Sequence, residues 1–152
     1  LVGWVFLAFL LAGTAEARRP HCTLRVHLQG DPNVGVSFVA QVRAPTSASN
    51  LYMERMATIS EREVSAFRPY PAPDGSYGAL LELNEHGKLA LETLSIERRG
   101  KFVFVFVNSR PVTELQIDRR ISDGKLYIGS GLTKTEIDAM AKDWPLIGER
   151  KR

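Results

Sequence analysis

The sequence has 152 residues, of which 44% are hydrophobic, and its 20 Lys and Arg against 17 Asp and Glu give a net charge of +3. This length suits a single domain with a modest hydrophobic core. The only cysteine, Cys22, excludes an internal disulfide, so stability must come from the core or from a bond between chains.

Residues 1–17, "LVGWVFLAFLLAGTAEA", have the pattern of a secretory signal peptide. They carry no charge before Glu16, and Ala15 and Ala17 supply the small residues of a cleavage site, so we predict cleavage after Ala17. An uncleaved anchor helix stays open, although the apolar run is shorter than the roughly 20 residues that a membrane span needs. We expect an exported protein, in the periplasm or cell envelope or secreted, that meets a membrane only through an uncleaved 1–17 segment.

Residues 18–56 are predicted to form an N-terminal β-hairpin. The segment "TLRVHL" (23–28) alternates apolar and polar residues, "GDPN" (30–33) is typical of a turn, and "VGVSFVAQV" (34–42) predicts the returning strand.

The next segment is less regular. "YMERMATI" (52–59) predicts a further strand, and residues 60–67 fit a helical turn or a strand equally well. "RPYPAPDGSYG" (68–78) is rich in Pro and Gly, which predicts a linker loop.

From Tyr77 onward the pattern is clearer, and a basic tail follows at 149–152. In the final helix, Thr133 and Glu136 match a capping box. The order predicts an α+β fold, a two-layer sandwich with a β-α-β-β-β-α unit after the N-terminal hairpin. Its elements are strand 79–83, a helix capped by Asn84 and stopped by Gly100, strands 101–107, 112–118 and 125–129, and the final helix.

The first of these helices has an apolar stripe formed by Ala90, Leu91 and Leu94. Leu89 and Ile96 lie off this stripe, so we expect the helix to contact a second surface.

Residues 99–107, "RGKFVFVFV", share Arg99, Gly100 and Phe106 with the RNA-stacking motif of RRM domains. Lys101, Phe102 and Val103 occupy the positions at which that motif requires an aromatic, a small and an aromatic residue. We interpret Arg99 and Gly100 as a helix end and the phenylalanines as a core face, and we expect no nucleic-acid partner.

The same strand is apolar on both faces, since valines alternate with its phenylalanines. Helices cover only one sheet face, so the valine side must be covered by the N-terminal hairpin or left open to a partner. The candidate partner-binding face consists of Val103, Val105, Val107 and Tyr127.

The candidate ligands for catalysis or metal binding are few. "HCTLRVH" (21–27) supplies His21, Cys22 and His27, and a third histidine, His86, is distant in sequence. A zinc site needs three or four well-spaced ligands, so we predict no metal, no cofactor and no catalytic residues. The segment "GSG" (129–131) before the last helix fits an anion site or, more simply, a turn.

Residues 78–140 resemble the head subdomain of the first periplasmic domain of SecD, an accessory subunit of protein export. The similar features are an apolar strand before "LNEHG", a helix that closes at "RRGK", the strand-turn-strand "VFVNSRPV" and the final "LTKTEIDAM". "ATISEREVSA" (57–66) also resembles the segment that enters that head, whereas residues 18–56 show no counterpart. The resemblance implies a SecD-head-like domain over 57–148.

In SecD the head is thought to contact the emerging polypeptide, and transmembrane helices follow the periplasmic domain. The sequence here ends at "PLIGERKR" without an apolar span, so we expect a stand-alone interaction domain and not a translocation motor. The resemblance implies a polypeptide or an envelope protein as partner and no enzymatic activity. The alternatives are a signal-anchored structural envelope protein and a small exported hydrolase.

Overall fold

The computed structural model describes residues 18–149. The predicted signal peptide 1–17, with Ala15 and Ala17, and residues 150–152 of the predicted tail lie outside the described residues. The elements in chain order are β1 (Leu24–Leu28), β2 (Val39–Arg43), β3 (Asn50–Glu54), β4 (Ile59–Ser60), β5 (Val64–Pro71), β6 (Tyr77–Leu83), α1 (Glu85–Glu97), β7 (Phe102–Val107), β8 (Arg110–Gln116), β9 (Lys125–Leu132) and α2 (Lys134–Asp143).

The strands form three antiparallel units. The first sheet has the order β4-β1-β7-β8, the second sheet has the order β5-β6-β9, and β2 and β3 form a two-stranded ribbon. The succession from β6 to α2 confirms the predicted β-α-β-β-β-α order and the α+β class.

Residues 18–56 contain a β-hairpin, but the predicted pairing of 23–28 with 34–42 is wrong. β1 pairs with β7 and β4 inside the first sheet, while β2 pairs with β3. The apolar side of β1 is fully buried, and the valine side of β7 gives it a matching neighbour in register. Residues 34–38 do not extend β2, because Gly35 takes a φ of +99° and turns the chain.

The main core lies between the two sheets and the two helices. The valine side of β7 faces this core, together with Leu91 and Leu94 of α1 and Ile137 and Met140 of α2. Such close-packed apolar burial is the main stabilising contribution to a domain of this size.

The phenylalanine side of β7 belongs to a second, smaller cluster. The ribbon covers it, and Phe104 packs against Val42 and Ala44. The two apolar faces of β7 are therefore both covered, but the helices lie on the valine side and the ribbon on the phenylalanine side.

The ribbon is attached to the first sheet at both ends. The Glu114 carboxylate on β8 accepts hydrogen bonds from the backbone N–H groups of Thr46 at 2.9 Å and Ser47 at 2.7 Å. Burial alone would raise the pKa of Glu114. The hydrogen bonds from Thr46 and Ser47 outweigh burial and hold this pKa below its usual value. At the other end, His27 Nδ1 donates to the Glu54 carbonyl oxygen at 2.8 Å.

The predicted linker loop at 68–78 is wrong, because these residues form the end of β5, the turn and the start of β6 in one antiparallel hairpin. The N–H of Phe67 donates outward, to the Pro145 carbonyl at 3.0 Å. Pro69 and Pro71 lie two and four residues further on, so their nitrogens also face the outer edge, where a strand tolerates proline. The predicted strand at 52–59 is likewise interrupted, since β3 ends at Glu54 and β4 begins at Ile59.

The start of α2 joins three parts of the fold. Its predicted capping box is confirmed, with the Thr133 N–H donating to Glu136 Oε2 at 2.9 Å and the Glu136 N–H to Thr133 Oγ1 at 3.2 Å. Arg110 donates to the same carboxylate through Nε at 2.9 Å and Nη2 at 2.7 Å, and Nη2 also reaches the Gly131 carbonyl at 2.7 Å.

Candidate functional site

An apolar patch occupies the loop before β2 and the residues after β3. We define the patch as Val34, Val36, Phe38 and Met56, whose exposed fractions are 53%, 82%, 66% and 84%. A group of large apolar side chains at this exposure is typical of an interaction site.

Local hydrogen bonds position the patch. The Asp31 side chain caps a single 3₁₀ turn, accepting from the Asn33 N–H at 2.9 Å. Arg55 then holds the loop from the other side, since its backbone N–H donates to the Phe38 carbonyl and its Nε to the Val36 carbonyl, both at 2.8 Å. The backbone is thus occupied locally and the apolar side chains point outward.

A cavity of about 810 Å³ adjoins the patch. Val34, Phe38 and Met56 supply its apolar lining, and the charged rim includes Glu54 and Arg98, which form an ion pair at 3.3 Å. An apolar floor with a mixed polar rim is the anatomy of a protein-binding surface.

The exposed side of α1 continues from this cavity. Arg98 also lines a groove of about 290 Å³ along α1, in which Leu89 and His86 take part. Leu89 and Ile96 are exposed, and within residues 18–149 no second surface covers them, so the expectation of a second contact surface for α1 is wrong.

The predicted partner-binding face is divided by the fold. Val103, Val105 and Val107 are buried in the main core, whereas Tyr127 is exposed on β9 of the second sheet, where its ring stacks on Tyr70. The expectation that these four residues share one open sheet face is therefore wrong. The reason is that the residues between β8 and β9 carry the chain from one sheet to the other.

The three histidines lie in separate places. His21 Nδ1 contacts Asp143 Oδ1 at 2.7 Å, His27 contacts the ribbon, and His86 Nδ1 lies 3.4 Å from Glu63 Oε1. Among residues 18–149, no group of three or more His, Cys, Asp or Glu side chains is placed to hold a metal ion.

Cys22 is buried in the main core beside α2, and its N–H donates to Asp143 Oδ2 at 2.8 Å. Burial, followed by the negative charges of Asp143, Glu136 and Glu61, raises the pKa of the Cys22 thiol to about 12. The thiol is therefore protonated at neutral pH and packs as an apolar group.

The "GSG" segment (129–131) lies within β9, and the helix that follows begins with its own capping carboxylate, Glu136. Within the described range 18–149, no helix is both long and apolar enough to span a membrane.

No protein-family model and no curated protein matches the sequence. The fold is similar to that of a solved structure described as "Structure and function of a membrane component SecDF that enhances protein export". The identity is 13% over 86% of this chain and 69% of that chain, and the TM-score is 0.54. The fold is also similar to "Crystal structure of SecDF in Super-membrane-facing form", with 13% identity over 84% of this chain and 19% of that chain and a TM-score of 0.56.

These similarities define the class of fold and confirm the predicted SecD-like α+β domain. The 86% coverage exceeds what residues 57–148 alone contribute, so residues outside that range also match. This agrees with the place of β1 inside the first sheet.

The apolar patch was missed in the sequence because the alternation in "VGVSFV" is also the alternation of a strand. The available signal was the turn chemistry of Asp31-Pro32-Asn33 and Gly35 on either side of Val34. It indicates a loop that interrupts the alternation.

Proposed function

We propose that the protein is a non-catalytic exported interaction domain that binds apolar segments of polypeptide through the patch Val34, Val36, Phe38 and Met56. The single observation that carries the proposal is the exposure of these four side chains next to a cavity of about 810 Å³. The SecD-like fold supports it, because SecDF is a membrane component that enhances protein export.

An apolar polypeptide segment suits the patch for energetic reasons. Burying one large apolar side chain contributes about 1.5–3 kcal/mol, so the four side chains of the patch together favour binding against the cost of association. The charged rim around Glu54 and Arg98 would remain hydrated and exclude few sequences.

The exported location is proposed from the sequence of residues 1–17 and from the SecD-like fold together. The positions of the three histidines support the proposal that the domain is non-catalytic. His21 contacts α2, His27 contacts the ribbon and His86 contacts Glu63. Each imidazole therefore has a structural contact in a different part of the fold.

The test is binding of a short fluorescein-labelled peptide in which Val or Phe alternates with Ser, followed by Lys for solubility. We call it the probe peptide. We expect the Phe38→Ser, Met56→Ser double variant to bind the probe peptide with a Kd about tenfold higher or more, because two apolar contacts are lost. Fluorescence anisotropy measures the Kd directly.

Ile96→Ser is the matched control, since Ile96 is an exposed apolar residue on α1 outside the patch. We expect the Kd of the probe peptide for this variant to stay within about threefold of its Kd for the unaltered protein. Equal binding by the double variant and the unaltered protein would contradict the proposal.

A further inference from the structure

The two edges of the second sheet are treated differently. The outer edge of β5 carries Pro69 and Pro71, and Phe67 is paired there with Leu146. Proline and a covering segment are two ways in which proteins block an exposed strand edge. The opposite edge, β9, contains no proline over its eight residues.

The hydrogen-bonding direction along β9 follows from one contact. The Leu83 N–H donates to the Gly124 carbonyl at 2.8 Å, and hydrogen-bonded pairs alternate in an antiparallel ladder. Leu126 therefore faces β6 with its N–H and C=O, whereas Tyr127 points both groups away from β6.

The outer edge of β8 lies across from β9. The Ile117 N–H donates to the Lys101 carbonyl at 2.8 Å, so by the same alternation Leu115 bonds toward β7 and Glu114 and Gln116 point outward. The two strands contact each other near Gly131, where an added side chain would lie 3.0 Å from the Val112 carbonyl.

A cleft of about 650 Å³ separates the strands further along. Leu115 and Gln116 line it from β8, Leu126 and Tyr127 line it from β9, and Leu80 lines it from β6. The connecting residues 118–123 and Lys125 supply the rest of the lining, which is mostly charged or polar. The cleft thus combines outward-pointing main-chain groups, a few apolar side chains and a largely charged connecting segment.

We propose that one extended segment of polypeptide enters this cleft as an added strand on β9. The inference rests on the proposed function, polypeptide binding, and assigns it a second site and a main-chain mode of recognition. An open strand edge binds an extended backbone through its N–H and C=O groups and is tolerant of side-chain sequence.

The cleft and the apolar patch flank the same helix end. Arg98 lines the cavity beside the patch, and the neighbouring Arg99 donates from Nε to the carbonyl of Asp118 at 3.2 Å. Asp118 lines the cleft. The cavity beside the patch and the cleft therefore both adjoin the C-terminal end of α1.

The test uses two versions of the probe peptide, one with its backbone N-methylated at the odd-numbered residues and one at the even-numbered residues. Methylation removes main-chain donors and leaves the side chains intact. We expect at least one of the two methylated peptides to bind with a Kd about tenfold higher than that of the parent peptide. Equal Kd values for both methylated peptides and the parent peptide would overturn the inference.

A variant pair tests the same point from the protein side. Tyr127→Pro removes an N–H that points away from β6, so it costs no ladder bond, whereas Tyr127→Thr keeps the donor and removes only the ring. We expect Tyr127→Pro to weaken binding about tenfold and Tyr127→Thr about threefold or less. Equal effects of the two variants would overturn the inference.

The two proposals fail separately. Loss of binding in the Phe38→Ser, Met56→Ser variant with no effect of backbone methylation overturns the added strand and keeps the patch. Absence of both effects overturns both proposals. A dimer in sedimentation equilibrium that Tyr127→Pro dissociates, and that the probe peptide does not compete away, identifies a second copy as the occupant and overturns the inference.

Discussion

A Val105→Lys variant is expected to lose most of its folding stability. Val105 lies at the centre of β7 and is fully buried in the main core, between the second sheet and the helices. A lysine there must stay neutral or carry an unpaired charge in an apolar interior. We expect a loss of at least about 4 kcal/mol, which is a large part of the 5–15 kcal/mol that typically separates the folded and unfolded states.

Val36→Lys is the matched control for this prediction. Val36 is the same residue type and is 82% exposed, so we expect its free energy of unfolding to change by about 0.5 kcal/mol or less. Urea unfolding followed by circular dichroism compares the two variants. A Val105→Lys protein with the same unfolding midpoint as Val36→Lys would contradict the burial of the valine side of β7.

A Glu136→Ala variant is expected to show the second largest loss. Its carboxylate is buried, caps α2 through the Thr133 N–H, and accepts two hydrogen bonds from Arg110. Breaking a buried pair costs about 3–5 kcal/mol, and losing a cap costs about 1 kcal/mol. Because the Arg110 side chain is 43% exposed and regains water, we expect a total of about 2–3 kcal/mol.

Glu92→Ala supplies the comparison, since Glu92 pairs with Arg120 at a more exposed position. Exposed ion pairs contribute about 0–1 kcal/mol. Urea unfolding of both variants gives the two losses under the same conditions. A Glu136→Ala loss no larger than that of Glu92→Ala would show that the start of α2 does not join β8 and β9 as described.

The parts of the fold that the sequence predicted well are those set by neighbouring residues. Asn84 caps α1 by accepting from the Gly87 N–H at 2.9 Å, and the Thr133 and Glu136 box caps α2, both as expected. A cap depends on residues within one helical turn, so a sequence contains all of the information that it needs.

Strand pairing was predicted less well, because partners are chosen over long separations. β1 could pair with any apolar strand, and the adjacent turn at 30–33 favoured residues 34–42 as its partner. Burial decides otherwise, since Leu24, Val26 and Leu28 align with the valines of β7 and complete one apolar face. Register follows the buried face rather than proximity in sequence.

The candidate site shows the same division. The alternation of β7 left two possibilities for its valine face, cover by the N-terminal hairpin or exposure to a partner. In the structure the main core covers the valine face and the ribbon covers the phenylalanine face. The patch depends on Gly35, whose positive φ breaks the alternation and leaves Val36 and Phe38 outside the core. A single backbone conformation therefore decides whether these residues form a strand or an exposed apolar patch.

We propose that this domain binds polypeptide at the patch and along β9. Amide hydrogen exchange of the full chain, with and without the probe peptide, tests this binding, because exchange reports the opening of each backbone segment. We predict increased protection at 31–38, at 55–56 and in β9, with β7 equally protected in both samples. Unchanged exchange at the patch and in β9 under saturating probe peptide would contradict polypeptide binding at these two places.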